Sequence, residues 1–185
     1  DLYFTSNMGP NKMFLNQGNL KFKDVTEQAG VAGCPPALEG ISTDCGWKTG
    51  VSIVDINNDG LLDLYVNQLG DYQSIKGRNQ LFICTGVAGG VPTYEDEAIR
   101  YGLDLTGFST QTAFFDYDLD GDLDMFQLNH SLHQNGTFGP RKNFEGKPHP
   151  LAGDKLLRND SKDGEPHFTD VTESAHIINN ALGYG

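Results

Sequence analysis

Short apolar runs of alternating polarity, broken by Gly, Asn and Asp, recur along the 185-residue chain in one fixed order. Alternation over so few residues marks half-buried β-strands, and the Gly and Asx breaks supply the turn conformations between them. Four strands, designated a to d, make up each recurrence. Strand a spans Thr49–Asp55 and again Ser109–Asp116, with an aromatic residue, Trp47 or Phe108, eight positions before its Asp. Strand b follows as Asp1–Thr5, Asp63–Asn67 and Asp124–Leu128, and strand c as Asn11–Asn16, Asn79–Cys84 and Asp154–Asn159. Strand d occurs as Lys21–Thr26, Pro92–Asp96 and Pro166–Thr172, and leads into a short polar stretch such as Glu27–Val31 or Glu173–Ile177.

A repeated four-stranded antiparallel unit cannot bury both of its faces alone, but stacked copies can. The pattern therefore predicts an all-β chain forming part of a β-propeller. Residues 1–31 supply strands b to d of a first blade, 32–48 an inter-blade loop, and 49–103 a second blade. Residues 104–177 form a third blade carrying an insertion at 130–153, and 178–185 open a fourth. A β-sandwich also uses many short strands, yet it gives no reason for the a-to-b turn to repeat its sequence. The chain begins within a motif, so the lack of a leader or membrane-spanning segment carries no weight, and the span reads as a piece of something longer.

That repeated turn is Asp55-Ile-Asn57-Asn-Asp59-Gly60-Leu61-Leu-Asp63 and Asp116-Tyr-Asp118-Leu-Asp120-Gly121-Asp122-Leu-Asp124. Oxygen-bearing side chains at the first, third, fifth and ninth positions, with a Gly that lets them converge, suit Ca²⁺, a hard cation with six to eight oxygen ligands. The expected ligands are Asp55, Asn57, Asp59 and Asp63 with the carbonyl of Leu61, and Asp116, Asp118, Asp120 and Asp124 with the carbonyl of Asp122. Asp1 fits the ninth position of a further loop. An EF-hand would need Glu at the twelfth position and flanking helices, whereas Val66 and Gln127 stand there in strands. The tandem glycines of an RTX nonapeptide are missing too. A single Asp-Gly reads as an ordinary β-turn; two full copies at one place in a repeat read as metal sites.

Charge supports the same reading. The net charge of −12 excludes nucleic acid and anionic lipid as natural partners. Eight of those charges, Asp55, Asp59, Asp63, Asp116, Asp118, Asp120, Asp122 and Asp124, fall in the two loops. Carboxylates so dense repel one another unless a cation sits among them. Among the cysteines, Cys34 and Cys45 flank an irregular Pro- and Gly-containing stretch and are expected to form a disulfide, which implies an oxidising compartment. Cys84, within an apolar run, reads as a small core residue.

The Asp-rich a-to-b loop followed by Leu-Tyr or Met-Phe, the aromatic before strand a, and the Phe-x-Asp-Val-Thr phrase together resemble the FG-GAP/VCBS repeat family, the integrin α-type propeller. Asn129-His-Ser-Leu-His133, the run at 153–160 and two Asp-Val-Thr-Glu phrases further resemble its cartilage-acidic-protein-like, ASPIC/UnbV-associated branch. The resemblance implies a seven- or eight-bladed propeller with structural Ca²⁺, secreted or at the cell surface, in a bacterial envelope for this branch. Asn57 departs from the family's Asp while remaining an oxygen donor, and the family pattern does not require the Cys34/Cys45 loop. Under a bacterial reading the sequons at Asn129, Asn135 and Asn159 carry no meaning.

Connections in an antiparallel blade alternate between two rims, so the Asp loops share a rim with the c-to-d turns. The long b-to-c and d-to-a segments lie on the other. Long loops on a rigid scaffold are where binding resides, which places a protein or glycan ligand on the rim opposite calcium. Within the insertion, His130, His133, Arg141 and Lys142 make a locally basic ligand-face candidate, and its three histidines, His130, His133 and His149, read as surface or packing residues more than as a metal site. The functional expectation is a non-catalytic calcium-binding propeller serving adhesion, assembly or ligand binding, with the remaining blades of the same propeller as its nearest partners. The alternative is the propeller domain of an extracellular carbohydrate-active enzyme, although no Gly-x-Ser-x-Gly elbow or zinc motif is present and the best carboxylates are committed to the loops.

Overall fold

In the computed structural model, the described residues are 1–7, 9–34, 45–71, 73, 75–131 and 149–177. They form three antiparallel sheets in which every strand pairs with its sequence neighbour. The first holds β1 (Leu2–Phe4), β2 (Lys12–Asn16) and β3 (Phe22–Asp24). The second holds β4 (Trp47–Val54), β5 (Asp63–Leu69), β6 (Gln80–Ala88) and β7 (Val91–Asp96). The third holds β8 (Ser109–Phe115), β9 (Asp124–Asn129), β10 (Lys155–Asn159) and β11 (Phe168–Asp170). One-turn helices, α1 (Thr26–Ala29) and α2 (Ala98–Tyr101), follow the outermost strands of the first two sheets. The chain is thus all-β and partial-propeller in arrangement, and the opening of a fourth blade at 178–185 lies outside the described residues.

The stacking explains why β5 is buried along almost its whole length. Successive side chains of a strand point to opposite faces. Leu64, Val66 and Phe82 accordingly join Met13, Leu15, Val25 and Val31 of the first blade in one core. Tyr65, Leu81 and Ile83 join Met125, Leu157 and Phe168 of the third in another. The middle sheet is therefore apolar on both faces, which is unusual for an antiparallel sheet and is what stacked blades demand.

Inner strands approach most closely. The Thr49 hydroxyl donates to Ser109 O at 2.7 Å, Ser52 Oγ donates to Thr112 O, and Gln111 Nε2 reaches Val51 O at 3.3 Å. A Cβ on Gly50 would stand 2.3 Å from Thr110 O, so only glycine admits this contact. The two aromatic landmarks have a matching role: Trp47 bridges to Asn7, and Phe108 to Leu69, each pairing the start of one blade's inner strand with the end of the previous blade's second strand. Strand β4 consequently begins inside the span read as inter-blade loop. Trp47 and Lys48 pair with Leu69 and Gln68, and an irregularity between Lys48 and Val51 separates this pairing from the rest of the strand.

The polar stretches after each strand d fold for a shared reason. Asp24, Asp96 and Asp170 each accept the amide two residues on, from Thr26, Ala98 and Thr172. Each turn then closes on a left-handed residue, Gly30 (φ 76°), Gly102 (φ 68°) or His176 (φ 58°). In the first and third blades the Thr hydroxyl also accepts an amide of strand c, from Met13 and Leu156. Ala98 has no hydroxyl, and Asp96 accepts the Leu81 amide in its place at 3.4 Å.

Candidate metal centre and the two rims

Both Asp loops adopt one backbone shape. Asn58 (φ 56°) and Leu119 (φ 64°) occupy the left-handed region at the fourth position, and Gly60 (φ 86°) and Gly121 (φ 102°) do so at the sixth. These turns bring the amides inward onto the first carboxylate. Asp55 accepts from Asp59 N at 3.0 Å and Gly60 N at 2.9 Å; Asp116 accepts from Leu119, Asp120 and Gly121 at 2.7, 3.2 and 3.1 Å. The fifth carboxylates accept the amide of the seventh residue, Leu61 or Asp122. Loop one adds a bond from Asn57 Nδ2 to Asp59 Oδ2 at 2.9 Å.

In the second loop, oxygens of Asp116, Asp118 and Asp120 lie within 4.8 Å of one another. Such crowding fits a hard divalent cation: Asp116, Asp118 and Asp120, and in the first loop Asp55, Asn57 and Asp59, are the residues that would hold Ca²⁺. Desolvation, then the charges of Asp120 and Asp124, raise the Asp118 carboxyl above its ordinary value. The same causes, in the same order, push Asp122 up to about 6, and its buried Oδ1 has no hydrogen-bond partner.

The ninth positions do something further. Asp63 and Asp124 are fully buried. One oxygen of Asp63 accepts Ile56 N at 3.0 Å and the other Cys84 N at 2.8 Å. Asp124 likewise accepts Tyr117 N and Asn159 N, both at 2.8 Å. Asp1 accepts Asn16 N at 2.9 Å, the same bond in the first sheet. These carboxylates latch the loop to strand c, a role the ligand pattern alone did not disclose. Burial leads the causes that raise the Asp63 carboxyl.

A carboxylate whose folded value is raised binds more protons folded than unfolded, so it destabilises as pH climbs from its unfolded value to its folded one. For Asp118 and Asp122 that window runs upward from the ordinary Asp value of 3.8, ending for Asp122 at about 6. The lowered values of Asp24 and Asp170 act below 3.8, outside it. In chelator, the thermal midpoint is expected to rise between about pH 7 and pH 5. Excess calcium should reverse the trend, because the metal needs ionised carboxylates. Scanning calorimetry across this range checks both slopes.

A second set of polar residues ties each b-to-c connection to its blade. Asn11, Asn79 and Asp154 accept the amides of Ser6, Gln68 and Asn129 through Oδ1. Asn11 and Asn79 also donate to the hydroxyls of Tyr3 and Tyr65, which donate onward to Val31 O and Leu103 O. The third blade has Phe126 and Asp154 at these places, losing hydroxyl and amide together.

On the rim away from the Asp loops, Cys34 and Cys45 are joined by a disulfide, with Cα atoms 4.4 Å apart. Lys48, 2% exposed, donates from Nζ to Gly9 O at 3.0 Å and to Cys45 O, linking the first two blades. Cys84 is a buried free thiol. His130 is exposed, with Nδ1 2.8 Å from Ser131 O, while His149 Nδ1 accepts the Leu151 and Ala152 amides. That commitment makes His149 a turn-capping residue. His133, Arg141 and Lys142 lie outside the described residues. Asn129 and Asn159 are buried, their side-chain amides bonded to Gly153 O and Leu123 O, so neither sequon is available to a glycan.

Three stacked antiparallel sheets, the first packed on the second through a shared apolar core and the second joined to the third through their inner strands, define a chain of propeller-type blades. Residues 1–66 match the FG-GAP-like repeat family, a span covering the first sheet and the second through the Asp55–Asp63 loop to Val66, and the match supports that family. No curated protein matches the chain. No helix among the described residues is long and apolar enough to cross a membrane.

Proposed function

We propose that this chain is a non-catalytic, calcium-binding segment of a β-propeller from a secreted or cell-surface protein of a bacterial envelope, in the cartilage-acidic-protein-like branch of the FG-GAP repeats. Its role is adhesion, assembly or ligand binding. One observation carries the calcium reading: the two Asp loops share one backbone of left-handed turns, and in the second these turns gather the carboxylates of Asp116, Asp118 and Asp120 within 4.8 Å of one another. Calcium there would neutralise the loops and brace strands a and b; the ligand, a protein or glycan, docks on the opposite rim, and neighbouring blades cover the outer sheets. The Cys34–Cys45 disulfide favours an oxidising compartment.

Chelation tests this. A site held at ten times its Kd stabilises the fold by about 1.4 kcal/mol, equivalent to roughly 3–6 °C for a chain of this size. Excess EGTA is therefore expected to lower the midpoint by at least that amount, with Asp59→Ala and Asp120→Ala each removing part of the response. An identical melting curve with and without EGTA overturns the proposal.

A further inference from the structure

We propose that the seam between the first two blades, on the rim away from the Asp loops, binds a hexuronate, a sugar bearing a carboxylate. The inference rests on the proposed ligand rim and gives it a chemistry. A cavity of about 420 Å³ opens there, lined by Gln68, Lys76, Arg78, Gln80, Asp96 and the Cys34–Cys45 disulfide. The next seam shows what this position looks like when it is only packed. Alignment of Asn79 with Asp154, which accept equivalent amides, places Leu151 and Ala152 opposite Lys76 and Gly77. Leu151 and Ala152 close their seam with Phe108 and Leu69 in a small apolar cluster. One scaffold position is thus plugged in one blade, and hollow, cationic and amide-lined in the other.

Donor and acceptor accounting indicates what the hollow can take. Asp96 Oδ1 accepts the amides of Ala98 and Leu81, and Oδ2 accepts Arg78 Nη2 at 3.2 Å and Gln80 Nε2 at 3.1 Å. Its lone pairs are taken. Gln80 Oε1 accepts Gln68 Nε2 at 2.8 Å. Capacity that remains is on the donor side. Arg78 Nη1 is buried without an acceptor, on a side chain 40% exposed that lines the cavity. Lys76 is 71% exposed and held only by a surface pair with Asp71, which a ligand readily exchanges. A carboxylate supplies the acceptor that both cations can use, and the two glutamine amides suit ring hydroxyls. Among the described residues the one aromatic of the lining, Phe82, is buried, so the hollow presents hydrogen-bonding groups and no apolar face for a peptide's side chains, which favours a sugar acid over an acidic peptide.

Calorimetric titration of the full chain in excess calcium with glucuronate, its methyl ester, glucose and a short oligoglutamate tests the proposal. Glucuronate should bind saturably, and both neutral sugars about tenfold or more weakly, the loss of a charge-assisted hydrogen bond. Lys76→Leu and Arg78→Gln should each weaken glucuronate by about the same factor, while the exposed Lys76 change leaves the melting midpoint in place. Absence of saturable binding, equal binding of glucose, or unaltered affinity in both variants overturns the site. Oligoglutamate binding more tightly than glucuronate and lost in both variants overturns the sugar but keeps the ligand rim. Failure of glucuronate while EGTA still lowers the midpoint leaves the calcium reading standing.

Discussion

Asp63→Ala is expected to cost about 3 kcal/mol of unfolding free energy with calcium absent, because it strands two buried amides that the carboxylate now satisfies. Ile56 and Cys84 are both buried, so water does not replace the lost acceptor. Relief of the carboxylate's own desolvation offsets part of the loss, and Asp63→Asn, which keeps one acceptor oxygen, should fall between. Asp59 makes the decisive contrast. It is exposed and accepts only loop donors, so Asp59→Ala in chelator should stay within about 0.5 kcal/mol of the parent chain and lose stability only when calcium is added. Urea unfolding with and without EGTA separates the roles. A chelated Asp63→Ala chain as stable as its parent would show that the ninth carboxylate is no latch.

Asn79→Ala should be comparably damaging, by about 3 kcal/mol. This buried amide accepts Gln68 N at 2.8 Å and donates to Tyr65 Oη at 3.0 Å and Gln127 Oε1 at 2.9 Å. Through Gln127, which also donates to Asn67 Oδ1, it fastens the second blade to the third. Asp154→Ala removes one accepted amide from a half-buried site, so about 1 kcal/mol is expected there. The third blade suggests a rescue as well. Asn79→Asp alone leaves Tyr65 without its donor and sets a charge beside Gln127, whereas Asn79→Asp with Tyr65→Phe recreates the Asp154/Phe126 pair. The double variant should recover part of the single variant's loss in a denaturation cycle; strict additivity would sink the idea that these positions act as a pair.

What could be read along the chain was whatever is periodic. Alternating apolar residues set the strands, Gly and Asx set the turns, and the recurrence of Asp, aromatic and Asp-Val-Thr phrases set the order of strands in each sheet. The Asp-loop spacing also named residues that the fold gathers at Asp116, Asp118 and Asp120, because a nine-residue turn brings them together without help from distant segments. Its Gly60 and Gly121 were legible for the same local reason.

Pairings across long separations were not legible. Asp63 and Asp124 look like two more oxygens in a ligand pattern, and only the packed sheet shows them accepting amides from strand c, 21 and 35 residues away. Trp47 and Phe108 were recognisable as landmarks, yet their bridging of successive blades depends on how sheets stack. The same holds for β5. Its apolar run is ambiguous by itself and becomes a two-faced core strand once a blade covers each side. Above all, Lys76 and Arg78 stand in an unremarkable connection of the sequence. Tertiary structure sets them beside the Cys34–Cys45 disulfide in a cavity whose counterpart in the next seam is filled, because a cavity is made by surfaces that meet only after folding.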